Sequence, residues 1–383
     1  MLHAALAAAA GIEAVFLALV LANLALLPRL PRRRDLSAAP SVSIVVPARN
    51  EERDVEASAR SYLAQDYPDF EVVAVDDRST DATPRILERL ARQDPRLRVV
   101  RGVEPPAGWL GKPHALSEGA GAARGEFLLF ADADVRYAPD TVSRAAAHAE
   151  SEKLDFLCLL PRIEMRGFWE NVLLPYLYVA LFQSPAFAAN WRRPRWIAVG
   201  GGAGNLVRRG VYEKVGGHAA LRDSVIDDVR LGFTVKAAGF RFGLVRAEDA
   251  VGVRMYRGFR EVFDGFTKNA AYVYQGAVGV GFFALTAATL GSAFFPPAAL
   301  AATVFGAPIA AGDVRLALAG TILALLSRLV LARALRDPLW PAFTHPIMAA
   351  IWTGILSRSL FHRFVRRRLT WRGREFEARG ARF

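Results

Sequence analysis

Asp132 and Asp134 stand one residue apart directly after Phe127-Leu-Leu-Phe130, a short apolar run that reads as a fully buried strand. At i and i+2 on an extended segment, the two carboxylates point the same way. Carboxylate oxygens bind hard divalent cations such as Mg2+ or Mn2+, and an ion held there could offset the charge of a diphosphate leaving group. A solvated acidic turn would contain the same residues. What else the chain brings to that edge decides between the two.

Asp76 and Asp77 follow a second apolar run, Val72-Val-Ala-Val75, and precede Arg78-Ser-Thr-Asp81, where a helix N-cap with an acid in its first turn is expected. Capping accounts for Ser79, Thr80 and Asp81. It leaves two carboxylates unexplained, and acceptors at that point suit the imino and ribose hydroxyl donors of a nucleoside. In Gly111-Lys112-Pro-His-Ala-Leu116, Pro113 can open a helix and Gly111 frees the backbone before it. Lys112 is then badly placed for the helix dipole and well placed for a bound anion, although a loop lysine in solvent would look alike. His114 is expected to be structural. Further on, Ile226-Asp227-Asp228-Val-Arg-Leu231 opens a helix expected over 227–238. Paired acids at a helix start are common for dipole reasons alone, yet a cleft-facing carboxylate there could take a proton from a hydroxyl group.

These residues need a frame. Strand candidates 42–46, 70–75, 97–100, 127–130 and 156–160 alternate with helical stretches 51–64, 81–92, 113–123 and 139–150, which is the pattern of a sheet built from βα units. In open α/β sheets ligands sit beyond the carboxyl ends of the strands. Three of those ends are polar or acidic: Pro47-Ala-Arg49-Asn-Glu51, Asp76-Asp77 with the turn after it, and Asp132-Ala-Asp134.

The rest of the chain points to a membrane. Of 383 residues, 53% are apolar, and residues 2–27 hold no Lys or Arg and only Glu13 as a charge. Such a helix spans the roughly 30 Å hydrocarbon core. Arg29, Arg32, Arg33 and Arg34 follow it, which favours a retained anchor at 1–28 over a cleaved leader and places the next domain, 41–257, in the cytoplasm. The formal charge is +12, and runs such as Arg192-Arg193-Pro-Arg195 and Arg366-Arg367-Arg368 adjoin apolar segments, as suits anionic lipid headgroups. No RNA-binding or helix-turn-helix signature accompanies them, so no nucleic-acid partner is expected. The single cysteine, Cys158, excludes an internal disulfide and is expected as a small buried hydrophobe.

Residues 168–189, interrupted by Pro175 and Pro185, are expected as a helix lying in the membrane interface, and so is the stretch 258–275. The 44 residues between Lys268 and Asp313 carry no charge. As helix they would extend about 66 Å, so a hairpin of two spans turning at Pro296-Pro297 is expected. Further spans at 316–331 and 340–360 make four within 276–362, returning the basic tail 363–383 to the cytoplasm.

Taken together, Val46-Pro-Ala-Arg-Asn-Glu51, Val75-Asp-Asp-Arg-Ser-Thr-Asp81, Gly-Lys-Pro-His-Ala-Leu, Asp-Ala-Asp and Ile-Asp-Asp-Val-Arg-Leu resemble the family-2 inverting glycosyltransferases of the GT-A fold. The motifs keep that family's order over about residues 41–270. Thr370-Trp-Arg-Gly-Arg374 looks like the ending of its membrane-bound members. Arg254-Met-Tyr-Arg257 and Lys268-Asn269 are similar to hopanoid-associated and carotenoid-acid glycosyltransferases. The resemblance implies an α/β fold with a mostly parallel sheet and roles for single residues. Pro47, Arg49 and Glu51 would line the nucleoside pocket, with Asp77 and its neighbour Asp76 on the base and Lys112 near the diphosphate. Asp132 would lie by the ribose and metal, Asp134 would be the main metal ligand, and Asp228 would be the base. Asp227 stands where the family usually has Glu. Gly200-Gly-Gly-Ala-Gly-Asn205 would border the donor sugar and acceptor.

The implied activity is transfer of one sugar from a UDP- or GDP-linked donor to a lipid acceptor, of isoprenoid, hopanoid, carotenoid or similar type, at a bacterial cytoplasmic membrane. Chain-extending synthases of the family carry Gln-X-X-Arg-Trp, where this sequence reads Arg257-Gly-Phe-Arg260-Glu261. The missing Gln and Trp argue against a processive polysaccharide synthase. A sugar-phosphate or nucleotidyl transferase would show a Gly-rich basic loop after the first strand, and a nicotinamide-binding domain Gly-X-Gly-X-X-Gly. Neither is present. A non-catalytic membrane scaffold or transporter would bind no nucleotide sugar in a metal-dependent way.

Overall fold

Runs of Val, Leu and Phe become the strands that carry the candidate residues. The computed structural model describes residues 1–32, 39–273, 276–366, 368–371 and 374–377, grouped into an α/β unit and a helical unit. The α/β unit comprises Leu27–Glu164 and Ala188–Met255, with the tail strands. Its strands are β1 (Val42–Ala48), β2 (Phe70–Asp76), β3 (Leu97–Arg101), β4 (Phe127–Phe130), β5 (Val135–Tyr137), β6 (Phe156–Leu160), β7 (Arg162–Ile163), β8 (Asn205–Arg208), β9 (Phe242–Arg246) and β10 (Val251–Val253).

Seven of them form one sheet in the order β3-β2-β1-β4-β8-β6-β9. Every neighbouring pair is parallel except those of β8, which runs antiparallel to both β4 and β6. Val45, Val73, Val75, Leu128, Leu129 and Leu157 are fully buried along it, as expected of strands covered on both faces. The register sets Ala48 opposite Asp76, and Phe130 opposite both Val45 and Asn205. The parallel strands β1, β2 and β4 thus end at one edge. Because β8 is reversed, it begins at that same edge, and the glycine loop before Asn205 arrives beside Asp132. A smaller sheet, β5-β10-β7, follows Asp134.

All five strands expected from sequence are present. The helix expected over 81–92 begins at Thr83, and Asp81 lies in the turn before it, its Oδ1 accepting the Thr83 N–H at 2.9 Å. Cys158 is buried within β6. Residues preceding the expected domain boundary at 41 also belong to this unit. Leu30 N donates to the Arg246 carbonyl and Arg246 N to that of Pro28, both at 2.8 Å, and buried Arg144 holds the Leu30 and Pro31 carbonyls at 2.7 and 3.0 Å.

Among the described residues the helical unit contains three helices long and apolar enough to cross a membrane, within Leu2–Leu26, Gly276–Val304 and Ala311–Leu335. The hairpin expected at Pro296-Pro297 is not formed: both prolines lie inside the single helix Gly276–Val304, whose 29 residues extend about 44 Å. Pro296 packs on Gly320 instead, where even a Cβ would stand 3.1 Å from the proline ring. The bare glycine surface accommodates the ring. The span expected at 316–331 lengthens to Ala311–Leu335, and that at 340–360 becomes a short turn followed by the 17-residue helix His345–Phe361. Among the described residues two long apolar helices therefore follow position 255, in place of the four spans expected.

The stretch expected at the interface is two short helices, Phe168–Leu173 and Tyr176–Phe182, broken at Pro175. Leu173 and Leu174 are fully buried, whereas Phe168 and Trp169 face outward. Ser292 Oγ donates to Glu13 Oε1 at 2.6 Å, tying the first helix to a later one. Arg33, Arg34, Arg367, Arg372 and Gly373, named above in basic runs or motifs, lie outside the described residues.

Candidate active site

The loops after β1 and β2 are clipped together by hydrogen bonds. Asn50 N donates to Ser79 Oγ at 3.0 Å, Asn50 Oδ1 accepts Thr80 N at 2.8 Å, and Glu51 N donates to Thr83 Oγ1 at 2.8 Å. Asn50 and Arg78 hold positive φ angles of 53° and 55°, which brings the two turns edge to edge. Arg49 crosses between them, its Nη1 donating to the Asp77 carbonyl at 2.6 Å. The Asp77 carboxylate is held from two sides, with Arg49 and Arg78 nitrogens each at 3.9 Å. Burial raises this carboxyl above its ordinary value, opposed by the two arginines. Asp76 Oδ1 accepts the Ser79 N–H at 3.2 Å. Arg49, Glu51, Asp76 and Asp77 are thus brought together, and Pro47 lies in β1 opposite Val75.

A second group gathers at the ends of β4 and β8. Lys112, in the helix Gly111–Ala122, places Nζ 2.7 Å from Asp132 Oδ1, with both side chains more than a third exposed. The backbone of Asp132 is fixed from two directions: its N–H donates to the Gly202 carbonyl and its carbonyl accepts from Tyr62 Oη, both at 2.7 Å. At Gly202 a Cβ would stand 2.1 Å from Asp132 Oδ2, so any larger residue there would displace that carboxylate. Gly200 is equally constrained, at 2.0 Å from the Asp228 carbonyl oxygen. Asn205, buried at the start of β8, donates from Nδ2 to that carbonyl at 3.1 Å and accepts the Gly201 N–H at 3.2 Å. The glycine loop therefore locks the position of Asp228 relative to Asp132.

Lys112, Asp132, Asp227 and Asp228 line one cleft of about 250 Å3, with Gly201 and Gly202 on its wall. The two acids of the pair differ. Asp228 is half-buried and its Oδ1 accepts its own neighbour's N–H, from Val229, at 2.8 Å. Asp227 is buried, its Oδ2 lies 3.7 Å from His218 Nε2, and among the described residues that oxygen has no hydrogen-bond partner. Burial raises the Asp227 carboxyl, Lys112 opposes this, and Asp228 and Asp132 add to it. His218 is pushed down to about 3, by burial and then by the Lys112 charge, so its imidazole is neutral. Tyr212 Oη sits 3.0 Å from His218 Nδ1 and accepts the His218 N–H at 3.0 Å. For Lys112, desolvation is outweighed by Asp132, Asp227 and Asp228, and the ammonium is held well above its ordinary value.

Sequence reasoning missed His218, Tyr212, Asn205 as a clamp, and Tyr62. The one local signal was Gly216-Gly217, with φ of 82° and 51°, where a Cβ at 217 would strike the Tyr212 ring at 2.6 Å. His114, expected as structural, has its Nδ1 3.5 Å from Glu118 Oε2.

Asp132 and Asp134 fit a hard cation by donor chemistry. Both are carboxylates, they flank the buried Ala133, and both remain half-buried. Among the described residues no group of three or more His, Cys, Asp and Glu side chains is arranged to hold a metal ion by itself, so a cation here would complete its shell with ligand and water oxygens. Lys112 already neutralises one Asp132 oxygen.

Residues 43–216 match the model of "Glycosyl transferase family 2". A "Beta-monoglucosyldiacylglycerol synthase" of Nostoc sp. is 29% identical over 215 residues, covering 54% of this chain and 43% of that protein. A "4,4'-diaponeurosporenoate glycosyltransferase" of Staphylococcus haemolyticus is 22% identical, covering 63% of this chain and 64% of its own length. The chain thus spans less than half of the cyanobacterial relative. Among solved structures, the mannosyltransferase PcManGT from Pyrobaculum calidifontis, in complex with GDP-Man and Mn2+, aligns with a TM-score of 0.55 at 18% identity, over 94% of this chain and 99% of that one. That likeness concerns the fold.

Proposed function

We propose that the chain, whose residues 43–216 match the model of glycosyl transferase family 2, moves a single sugar, with inversion, from a UDP- or GDP-linked donor to a lipid acceptor. The observation that carries this reading is one cleft lined by Lys112, Asp132 and Asp228. Asp228 lies beyond the matched domain, yet Gly200 and Asn205 fasten it to the same edge. Asp228 accepts the proton of the acceptor hydroxyl as that oxygen bonds to the anomeric carbon. The bond from that carbon to the diphosphate breaks, and the nucleoside diphosphate leaves with the electron pair. Lys112 places positive charge beside the departing group. Asp132 and Asp134 would hold a divalent cation, Mg2+ or Mn2+, which when bound stabilises that same charge. Arg49, Glu51, Asp76 and Asp77 take the nucleoside, with Pro47 beneath them.

A lipid acceptor is supported by the three long apolar helices among the described residues and by the relatives, a beta-monoglucosyldiacylglycerol synthase and a 4,4'-diaponeurosporenoate glycosyltransferase. Arginines at 29 and 32 after the first helix support a cytoplasmic catalytic domain. Asp228→Asn is expected to lower nucleoside diphosphate release in membranes about a thousandfold while donor binding stays within about twofold. Wild-type turnover by that variant would remove Asp228 from the reaction. Mass spectrometry of the lipids separates the alternatives: one sugar mass per lipid supports single transfer, and a ladder of masses supports a processive synthase.

A further inference from the structure

Within the helical unit, Arg328 lies on the helix Ala311–Leu335 with the chemistry of a binding site. It stands seven residues before the helix end, about 10 Å along the axis. Arg328 is 4% exposed, and among the described residues its Nε finds no hydrogen-bond partner. The guanidinium cannot shed its proton and offers five donors. A buried cation of this kind is costly unless an anion meets it.

Arg328 borders a cleft of about 300 Å3 that is continuous with the outside, together with Met165, Tyr178, Leu331, Leu335 and Asp337. Asp337, half-buried, supplies attraction to Arg328. One carboxylate does not occupy five donors, and the remaining walls named are apolar or aromatic. His345, outside the lining of the cleft, is 3% exposed, and neither of its ring nitrogens has a hydrogen-bond partner among the described residues.

We propose that this cleft binds the anionic head of a membrane lipid, Arg328 taking the head's oxygens and Leu331, Leu335 and Met165 lining the path of its chain. Charge alone would also attract a free phosphate. Apolar walls on a helix long enough to cross a bilayer favour the lipid, because only a lipid gains from burying a chain there. The proposal is independent of the transfer reaction.

The test uses the full chain in mild detergent, supplied with phosphatidylglycerol or phosphatidylcholine, with retained lipid counted by native mass spectrometry. One phosphatidylglycerol per chain is expected, with phosphatidylcholine retained about tenfold less. Arg328→Met and Leu335→Trp, the second filling the cleft without touching the charge, should each lower retention about tenfold. Thermal melting identifies a variant that fails to fold; if Arg328→Met does, Leu335→Trp decides. Native-level retention by Leu335→Trp, or equal retention of both lipids, overturns the proposal. Full displacement of the lipid by millimolar inorganic phosphate assigns the site to a free anion and overturns it as well.

Discussion

Two adjacent acid pairs occupy the candidate site of the α/β unit, and their surroundings could hardly differ more. Asp76 and Asp77 are held in place: one accepts a backbone N–H, the other sits between two guanidinium groups at equal distance. Asp227 and Asp228 are poised. One is buried against a neutral imidazole, with an oxygen that finds no hydrogen-bond partner among the described residues, and the other faces a cleft and accepts the N–H of its own neighbour. Acids satisfied in the resting protein are suited to recognition, since their orientation is settled before a ligand arrives. An acid with capacity left over is suited to receiving a proton.

The sharpest way to break this contrast is to move the second pair without changing its charges. Gly200→Ala drives a Cβ into the Asp228 carbonyl, and transfer is expected to fall about a hundredfold with donor affinity nearly unchanged, read from initial rates and donor titrations. A loss confined to donor affinity would make the second pair a binding element like the first. Asp77→Asn tests the other side: the donor KM should rise about tenfold with kcat conserved. A fall in kcat instead would give Asp77 a part in the chemistry.

The smallest expected effect concerns stability in acid. His218 is depressed to about 3 in the folded chain, below the roughly 6.5 of an unfolded one. Below that upper value the unfolded chain binds the extra proton, so the stability present at neutral pH is lost as pH falls toward the lower one. His218→Gln should flatten this limb by up to about 1.4 kcal/mol per pH unit, measured by melting in detergent between pH 6.5 and 4. An unchanged slope would mean that the second pair is not packed against a neutral ring.

The parallel strands were legible because strands buried on both faces are written as continuous Val, Leu and Phe runs, as in Val72-Val-Ala-Val75. β8 and β9 escaped notice. Asn205–Arg208 opens on a polar residue after four glycines, and Phe242–Arg246 contains Gly243, so neither offers an apolar run of that length. Acidic pairs announce themselves, but partners contributed from elsewhere do not: nothing local links Lys112 to Asp132, or His218 to Asp227 across the left-handed turn at Gly216-Gly217. Pro296-Pro297 was misread because a proline pair in water marks a turn, whereas against Gly320 it packs as one more apolar surface.

The bond between Ser292 and Glu13 joins residues 279 positions apart. Read in time rather than space, this separation sets an order of assembly. At roughly 5–20 residues per second, a ribosome needs on the order of 14–56 s to reach Ser292 after making Glu13. Throughout that interval the first helix carries a carboxyl whose partner does not yet exist. The first helix therefore finds this partner only after residues 27–164 and 188–255 of the α/β unit have been synthesised, and a chain interrupted before position 292 leaves its opening helix with an acid whose partner is missing.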